Sequence, residues 1–286
     1  MLISESCICC GERADLDRNP AILMPFLASR IFGWEPIEIE ASWNLATVPV
    51  GRGYSICNTV LCRKCDAVYL DMRFNDEELS RLYNNYRDDE YVAERERYEP
   101  GYRARNSNII SGISYRDKVE KFVLDFTELP IRRRILDYGG DTGINTPFRE
   151  SSEVILYDIS SSDKRLPLET ADSDHTYFDL VVLANVIEHV GDPLALLTDV
   201  SRFMSKSTVL YIETPLEILM EEAEQNGRPP SIISKRHWHE HVNFFSKKSL
   251  LKLFERARLD VVAETRLNEN AWGNWNYFQS FLLMKS

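Results

Sequence analysis

The chain has 286 residues, 44% of them hydrophobic, enough for one α/β domain of about 150–200 residues plus a smaller module. Its 45 acidic and 34 basic residues give a formal charge of −11, which argues against a binder that neutralises nucleic-acid phosphates with clustered Lys and Arg. No apolar run approaches the ~20 residues that cross a bilayer, and Met1 to Cys10 carries no basic segment leading into a long apolar stretch, so the cytoplasm is the expected compartment.

Residues 1–75 hold all six cysteines and few periodic segments, and are expected to form a cysteine-rich domain. Without an export signal, such cysteines point to reduced thiols or metal ligands rather than disulfides. Cys7-x-x-Cys10-Gly11 and Cys62-x-x-Cys65 are two knuckle-type pairs. Zinc favours four thiolates in a tetrahedron, and a tight turn lets two cysteines spaced by two residues share one ion. Structural zinc on Cys7, Cys10, Cys62 and Cys65 is therefore expected, with four reduced cysteines, two of them buried by chance, as the bland alternative. Cys9 is close enough in sequence to replace a neighbour as ligand, and Cys57 is extra.

Residues 76–118 read as a polar, tyrosine-rich connector. Leu79, Leu82, Tyr83 and Tyr86 fall on one side of a helix expected over Asp76 to Tyr86. A second amphipathic helix is expected from Ser114 to Leu129, with Val119, Phe122, Val123 and Phe126 as its buried stripe. Arg132, Arg133 and Arg134 form a basic cluster best read as solvating the approach to a strand.

Residues 119–286 alternate strands and helices. Arg134–Tyr138, Val154–Asp158, Asp179–Ala184 and Thr208–Glu213 are short apolar runs suited to strands buried on both faces. Asp192 and Pro193 are an N-cap and first helical residue for Leu194, Leu197, Val200 and Met204. Ser246 to about Arg258 is a further helix, and Asp260–Glu264 with Phe278–Met284 a closing strand pair. The alternation specifies a doubly wound, mostly parallel α/β sheet with helices on both faces.

The sharpest segment is Ile135-Leu-Asp137-Tyr-Gly139-Gly140-Asp141-Thr-Gly143, a buried strand that ends in a glycine-rich turn. Asp158 ends the next strand 21 residues after Asp137, where a carboxylate can accept hydrogen bonds from both ribose hydroxyls of an adenosine. A dinucleotide site wants G-x-G-x-x-G, whereas the spacing here is Asp-x-Gly-Gly-Asp-x-Gly. That turn resembles the D-x-G-x-G-x-G turn of class I methyltransferases dependent on S-adenosylmethionine (SAM), with Asp141 in place of the middle glycine. Phe178-Asp-Leu-Val-Val-Leu-Ala-Asn185-Val-Ile-Glu188-His189-Val-x-Asp192-Pro193 is similar to their strand-four signature, and Leu210-Tyr-Ile-Glu-Thr-Pro215 to their fifth strand. The resemblance implies a seven-stranded, Rossmann-like methyltransferase sheet. It also implies SAM as cofactor, held by Asp137, Gly139, Gly140, Gly143, Asp158, Asn185 and Glu188. The short third strand leaves the adenine contact to Asp172 or Asp174.

The cysteine pairs followed by Glu77-Glu78-Leu79-x-x-Leu82-Tyr83-x-x-Tyr86 resemble the N-terminal zinc-binding domain of nucleotide-sugar C-methyltransferases. His237-Trp-His239-Glu240-His241-Val-Asn243-Phe-Phe-Ser246 is similar to the base-containing segment of the same enzymes. By that resemblance His241 or Glu240 removes a proton beside a ketone, Tyr83 or Tyr86 orients the sugar or steadies the enolate, and the acceptor is a small molecule, a sugar or nucleotide-linked sugar. Metal binding by His237, His239 and His241, which alternate along the chain, is a rival for the histidines, and simple packing of the loop is another. Trp272, Trp275 and Tyr277 sit before the last strand, as acceptor-stacking or core aromatics. From a different class comes a non-catalytic SAM-fold protein that acts as a binding partner, the reading Asp141 favours.

Overall fold

The computed structural model describes residues 2–44, 50–54, 56–104, 106, 116–160, 177–271 and 274–286. Its first strands are β1 (Leu2–Ile3), β2 (Leu16–Leu23), β3 (Ile37–Ile39), β4 (Gly51–Gly53), β5 (Ile56–Cys62), β6 (Val68–Leu70) and β7 (Met72–Arg73). The second half supplies β8 (Arg133–Tyr138), β9 (Ser152–Tyr157), β10 (Leu180–Ala184), β11 (Val209–Pro215), β12 (His237–Trp238), β13 (Asn243–Phe244), β14 (Leu259–Ala271) and β15 (Asn274–Lys285).

The large sheet has the order β14-β15-β11-β10-β8-β9. Strands β9, β8, β10 and β11 pair in parallel, while β15 lies antiparallel to both β11 and β14. The sheet is thus mixed, with six strands among the described residues where seven, mostly parallel, were expected. The antiparallel edge follows from connection length: β14 and β15 are a hairpin, and only a long crossover returns a strand parallel. Residues 161–176, which follow β9, lie outside the described residues and with them Asp172 and Asp174.

Period-two alternation buries both faces of this sheet. Leu136, Val181, Leu183, Leu210, Ile212, Phe281 and Leu283 meet the helices Pro193–Ser201 and Lys247–Arg256 on one side. Ile135, Leu180, Val182, Val209, Tyr211 and Leu282 meet Val119, Phe122 and Val123 of the helix Arg116–Phe126 on the other. The helix ends follow local chemistry. Asp192 accepts from the Leu194 and Ala195 backbones ahead of Pro193, and Ser246 caps its helix through the Ser249 N–H.

A second sheet has the order β12-β2-β5-β6-β13. Residues 1–75 do not build it alone, because β12 pairs with β2 and β13 with β6. The cysteine knuckles share their core with the large sheet: Cys7, Cys62 and Cys65 pack in the same buried cluster as Leu136 and Val181. The helix that begins at Asp76 has a capping box between Asn75 and Glu78 and ends at Tyr83 rather than Tyr86. Asn85 and Arg87 then adopt positive φ of 55° and 66°, which turns Tyr86 out of the helix.

Every parallel strand points its C-terminal end the same way. The turn after β8, Asp158 after β9, residues 185–186 and 188–191 after β10 and Glu217 after β11 therefore all face one cleft. That is where open α/β sheets bind ligands.

Candidate functional site

The first wall of the cleft is the turn after β8. Gly139 has φ +85°, and a Cβ there would come within 2.4 Å of Val186; a Cβ on Gly140 would strike the Asp137 carboxylate at 2.5 Å. Both glycines are therefore required by close approach and line the cleft. Gly143, φ +68°, packs from behind against Leu156 and stays out of the cleft lining. Asp137 is 5% exposed, accepts from Thr146 Oγ1 at 2.5 Å, and burial pushes its carboxyl up to about 6. Asp158 lines the same wall. Its Oδ1 accepts from the Ser160 N–H and hydroxyl at 2.8 and 2.6 Å, and its Oδ2 from the Asp141 N–H at 3.0 Å.

These residues fit the amino-acid and ribose ends of SAM on two grounds. Side-chain-free backbone opens a cradle any Cβ would fill, and a desolvated carboxylate without a cation lies beside it. Asp141 does not leave a bare charge in the cradle: its Oδ2 pairs with the Arg87 guanidinium at 3.3 Å.

Asn185 also takes a positive φ of 56°, its N–H and Nδ2 both donating to Glu213 at 2.9 Å. Buried Glu213 accepts in addition from the Tyr211 hydroxyl. The loop that follows is clamped by Arg73 of β7, which pairs with β1, and by Asn243 of the second sheet. Arg73 donates to the Gly191, Leu70 and Val190 carbonyls at 2.8, 2.7 and 2.9 Å and to Asn243 Oδ1 at 2.6 Å. Asn243 Nδ2 returns to the Ile187 and Val190 carbonyls at 2.9 and 2.8 Å. Gly191 is needed because a Cβ would sit 1.9 Å from the Phe74 carbonyl oxygen.

The clamp holds Glu188 and His189 beside the segment that carries Glu240 and His241. His189 Nδ1 lies 2.9 Å from the Tyr83 hydroxyl and 3.0 Å from the Glu240 carbonyl. The His189 and His241 rings stand 4.7 Å apart, edge to face. His241 Nδ1 meets Glu217 Oε1 at 2.6 Å. Burial opposes a charge on His241, but the Glu217, Glu188 and Glu240 carboxylates overcome it and lift the ring to about 9. Burial and the neighbouring His241 push His189 down to about 4. Glu240 is held at 2.6 Å by Arg95. Burial works against its charge, yet Arg95 keeps its carboxyl below the usual range. Tyr83 and Tyr86 pack edge to face at 5.4 Å, and burial raises both phenols, Tyr86 to about 12.

His237 and His239 do not join His241. Their rings meet each other at 5.3 Å, and His239 Nδ1 lies 3.4 Å from Glu99. Among the described residues the histidine close to His241 is His189 instead. Tyr277 is not in a loop but inside β15 opposite Asn268, with its ring on the cleft. Trp272 lies outside the described residues, and Trp275 belongs to β15 opposite Asn270. No local signal marks Glu217, Arg87 or Arg95, whose partners are 24, 54 and 145 residues away.

The sulfurs of Cys7, Cys10, Cys62 and Cys65 converge to within 4.8 Å of one another. Cys7 and Cys65 are 3.5 Å apart, Cys10 and Cys62 3.6 Å. Tetrahedral zinc with about 2.3 Å bonds sets its thiolates about 3.8 Å apart, so the set fits. Each knuckle closes alike: the Gly11 N–H donates to the Cys7 carbonyl and the Asp66 N–H to that of Cys62, both donors at positive φ of 75° and 65°. Buried Cys9 lies outside the four, and Cys57 packs in another core cluster.

Residues 109–264 match the family described as methyltransferase domain. The chain belongs to that family and has the class I SAM-dependent methyltransferase fold. No curated protein matches it. Among solved structures it is similar to the 1,6-didemethyltoxoflavin-N1-methyltransferase of Burkholderia thailandensis with bound 1,6-didemethyltoxoflavin and S-adenosylhomocysteine, at 12% identity, covering 88% of this chain and 100% of that one, TM-score 0.47. It is similar as well to a glycopeptide N-methyltransferase complexed with sinefungin (14%, 60% and 94%, TM-score 0.42) and to coclaurine N-methyltransferase bound to N-methylheliamine and S-adenosylhomocysteine (13%, 59% and 70%, TM-score 0.39).

Proposed function

We propose that this protein transfers the methyl group of SAM to a small-molecule acceptor, a sugar or nucleotide-linked sugar by its resemblance to the C-methyltransferases. The observation that carries the proposal is one cleft lined by both Asp137–Asp158 and Tyr83–His189–His241. Asp137 meets the cationic amino-acid end of the cofactor, Gly139 and Gly140 let the backbone approach it, and Asp158 accepts from the ribose hydroxyls. Bound SAM supplies an electrophilic methyl for in-line displacement.

In its neutral form His241 removes the acceptor's proton; because the carboxylates around it lift the ring to about 9, that form, and turnover with it, grows as pH rises toward 9. Glu217 fixes Nδ1 and so leaves the other ring nitrogen for that task. Glu240, tied to Arg95, shapes the segment rather than acting as base. Tyr83 and Tyr86 wall the acceptor side. The cysteine cluster holds structural zinc, with all four positions filled by protein. The Arg87–Asp141 ion pair speaks against the reading of a non-catalytic binding partner.

The test is incubation with SAM and a panel of keto-sugar nucleotides. An acceptor gaining one methyl group supports the reading, and that gain should vanish in His241→Ala while S-adenosylhomocysteine binding stays. Methylation undiminished in His241→Ala removes His241 from the mechanism.

A further inference from the structure

Glu188 is 1% exposed. Its Oε2 accepts from Thr214 Oγ1 at 3.3 Å, but its Oε1 has no hydrogen-bond partner. That buried, unpartnered oxygen points toward His189, whose Nε2 is 3.8 Å away. One ligand atom each from Glu188, His189 and His241 falls within 4.8 Å of the others.

The surroundings of the two rings are those of metal-binding imidazoles. A ligating histidine hands its second nitrogen to a carboxylate or a backbone carbonyl, which fixes the ring and makes it more basic. His241 gives Nδ1 to the Glu217 carboxylate at 2.6 Å, and His189 Nδ1 is shared by the Glu240 carbonyl at 3.0 Å and the Tyr83 hydroxyl at 2.9 Å. Nε2 is what each ring has left. The backbone beneath is fixed as well, since the Val242 and Asn243 N–H groups both donate to the Glu188 carbonyl, at 2.8 and 3.0 Å.

We propose that Glu188 Oε1, His189 Nε2 and His241 Nε2 form a second metal site, separate from the four cysteines, for a divalent transition cation of the zinc class. Two imidazoles and one carboxylate suit Zn²⁺ and Co²⁺, and ligands about 2.1 Å from one ion stand roughly 3.4 Å apart in a tetrahedron. Glu188 Oε1 and His189 Nε2 stand 3.8 Å apart and the three ligand atoms within 4.8 Å of one another, so side-chain rotations that close the set by up to about 1.4 Å bring them onto one ion. Three protein ligands leave an open position, which faces the cleft where the acceptor is placed. The site rests on the reading of this cleft as the acceptor pocket. When filled, it converts His241 from proton acceptor to ligand and offers the acceptor's oxygen a Lewis acid.

The test is a metal count on the full chain after loading with Zn²⁺ and gel filtration, repeated with Co²⁺ by visible spectroscopy. Wild type should carry two ions, one of which gives Co²⁺ bands without the thiolate charge-transfer absorption of the cysteine site. Glu188→Gln and His189→Gln should each carry one ion, the thiolate-bound one, with a thermal melt to show that they are folded. One ion in the wild type, or two in a folded Glu188→Gln, overturns the proposal. Titrating the same wild-type sample with S-adenosylhomocysteine reports separately on the methyltransferase reading.

Discussion

The Arg87 guanidinium lies 3.3 Å from the Asp141 carboxylate, so the residue that breaks the glycine turn carries its own counter-charge. The pair joins the Tyr83–Arg87 segment to the cofactor wall. Asp141 sits at φ +49°, a conformation glycine takes without strain. Arg87→Ala should weaken S-adenosylhomocysteine binding about 3- to 10-fold, because it leaves a carboxylate facing that of the ligand. Asp141→Gly in the same background should restore it. Calorimetry on the two variants checks this, and an additive loss in the double variant contradicts it.

Asp137 gives a pH dependence of known sign. Burial raises its carboxyl to about 6, so the folded apo protein holds the proton more tightly than the unfolded chain. The associated stability is fully present below the unfolded carboxylate range, near 4, and is lost as pH rises through about 6. The cation of the cofactor needs the ionised form, so affinity should move the other way, about tenfold weaker at pH 5 than at pH 7. Asp137→Asn should stabilise the apo protein at pH 7 by about 1–3 kcal/mol while weakening the cofactor. Thermal melts and titrations across this range measure both.

Arg73 is buried, and the four acceptors it serves link the second sheet to the Glu188–Gly191 loop. Arg73→Met should cost about 3–5 kcal/mol, since it strands buried carbonyls and Asn243 Oδ1. Hydrogen exchange should show the loop around Ile187 to Gly191 losing protection ahead of β10. Equal loss throughout the chain would mean that Arg73 serves general stability only.

The cysteine knuckles share a core with the large sheet, and Arg256 donates from its helix to the Cys9 carbonyl at 2.8 Å. Cys65→Ser should therefore lower bound zinc and also the melting temperature of the methyltransferase sheet as one cooperative unit. Cys57→Ala should leave zinc content unchanged, because Cys57 stands apart from the four. Two separate transitions in Cys65→Ser would show the knuckles to be an independent domain.

What was legible in the sequence is what short-range chemistry encodes. Asp192-Pro193 and Ser246 mark helix starts within three residues, and Asp137 to Gly143 writes a whole turn in one run. The parallel strands were readable because burial on both faces leaves unbroken apolar runs. The polar ends of the hairpin were not: β14 runs to Ala271 and β15 starts at Asn274, well beyond the expected Asp260–Glu264 and Phe278–Met284. Nor was the site's wiring, because Arg73 with Asn243 and His241 with Glu217 are joined only by topology. Sequence marked Glu188-His189 and Glu240-His241 as two separate motifs, and folding brought Glu188, His189 and His241 into one cluster, with the Glu240 carbonyl on His189.

Whether the cleft holds SAM is decided by calorimetric titration of the purified full chain with S-adenosylhomocysteine, with NADH as control. A SAM site should give micromolar binding of S-adenosylhomocysteine, lost in Asp158→Ala, and no heat from NADH. Absence of S-adenosylhomocysteine binding in folded wild-type protein would contradict it and return the chain to the binding-partner reading.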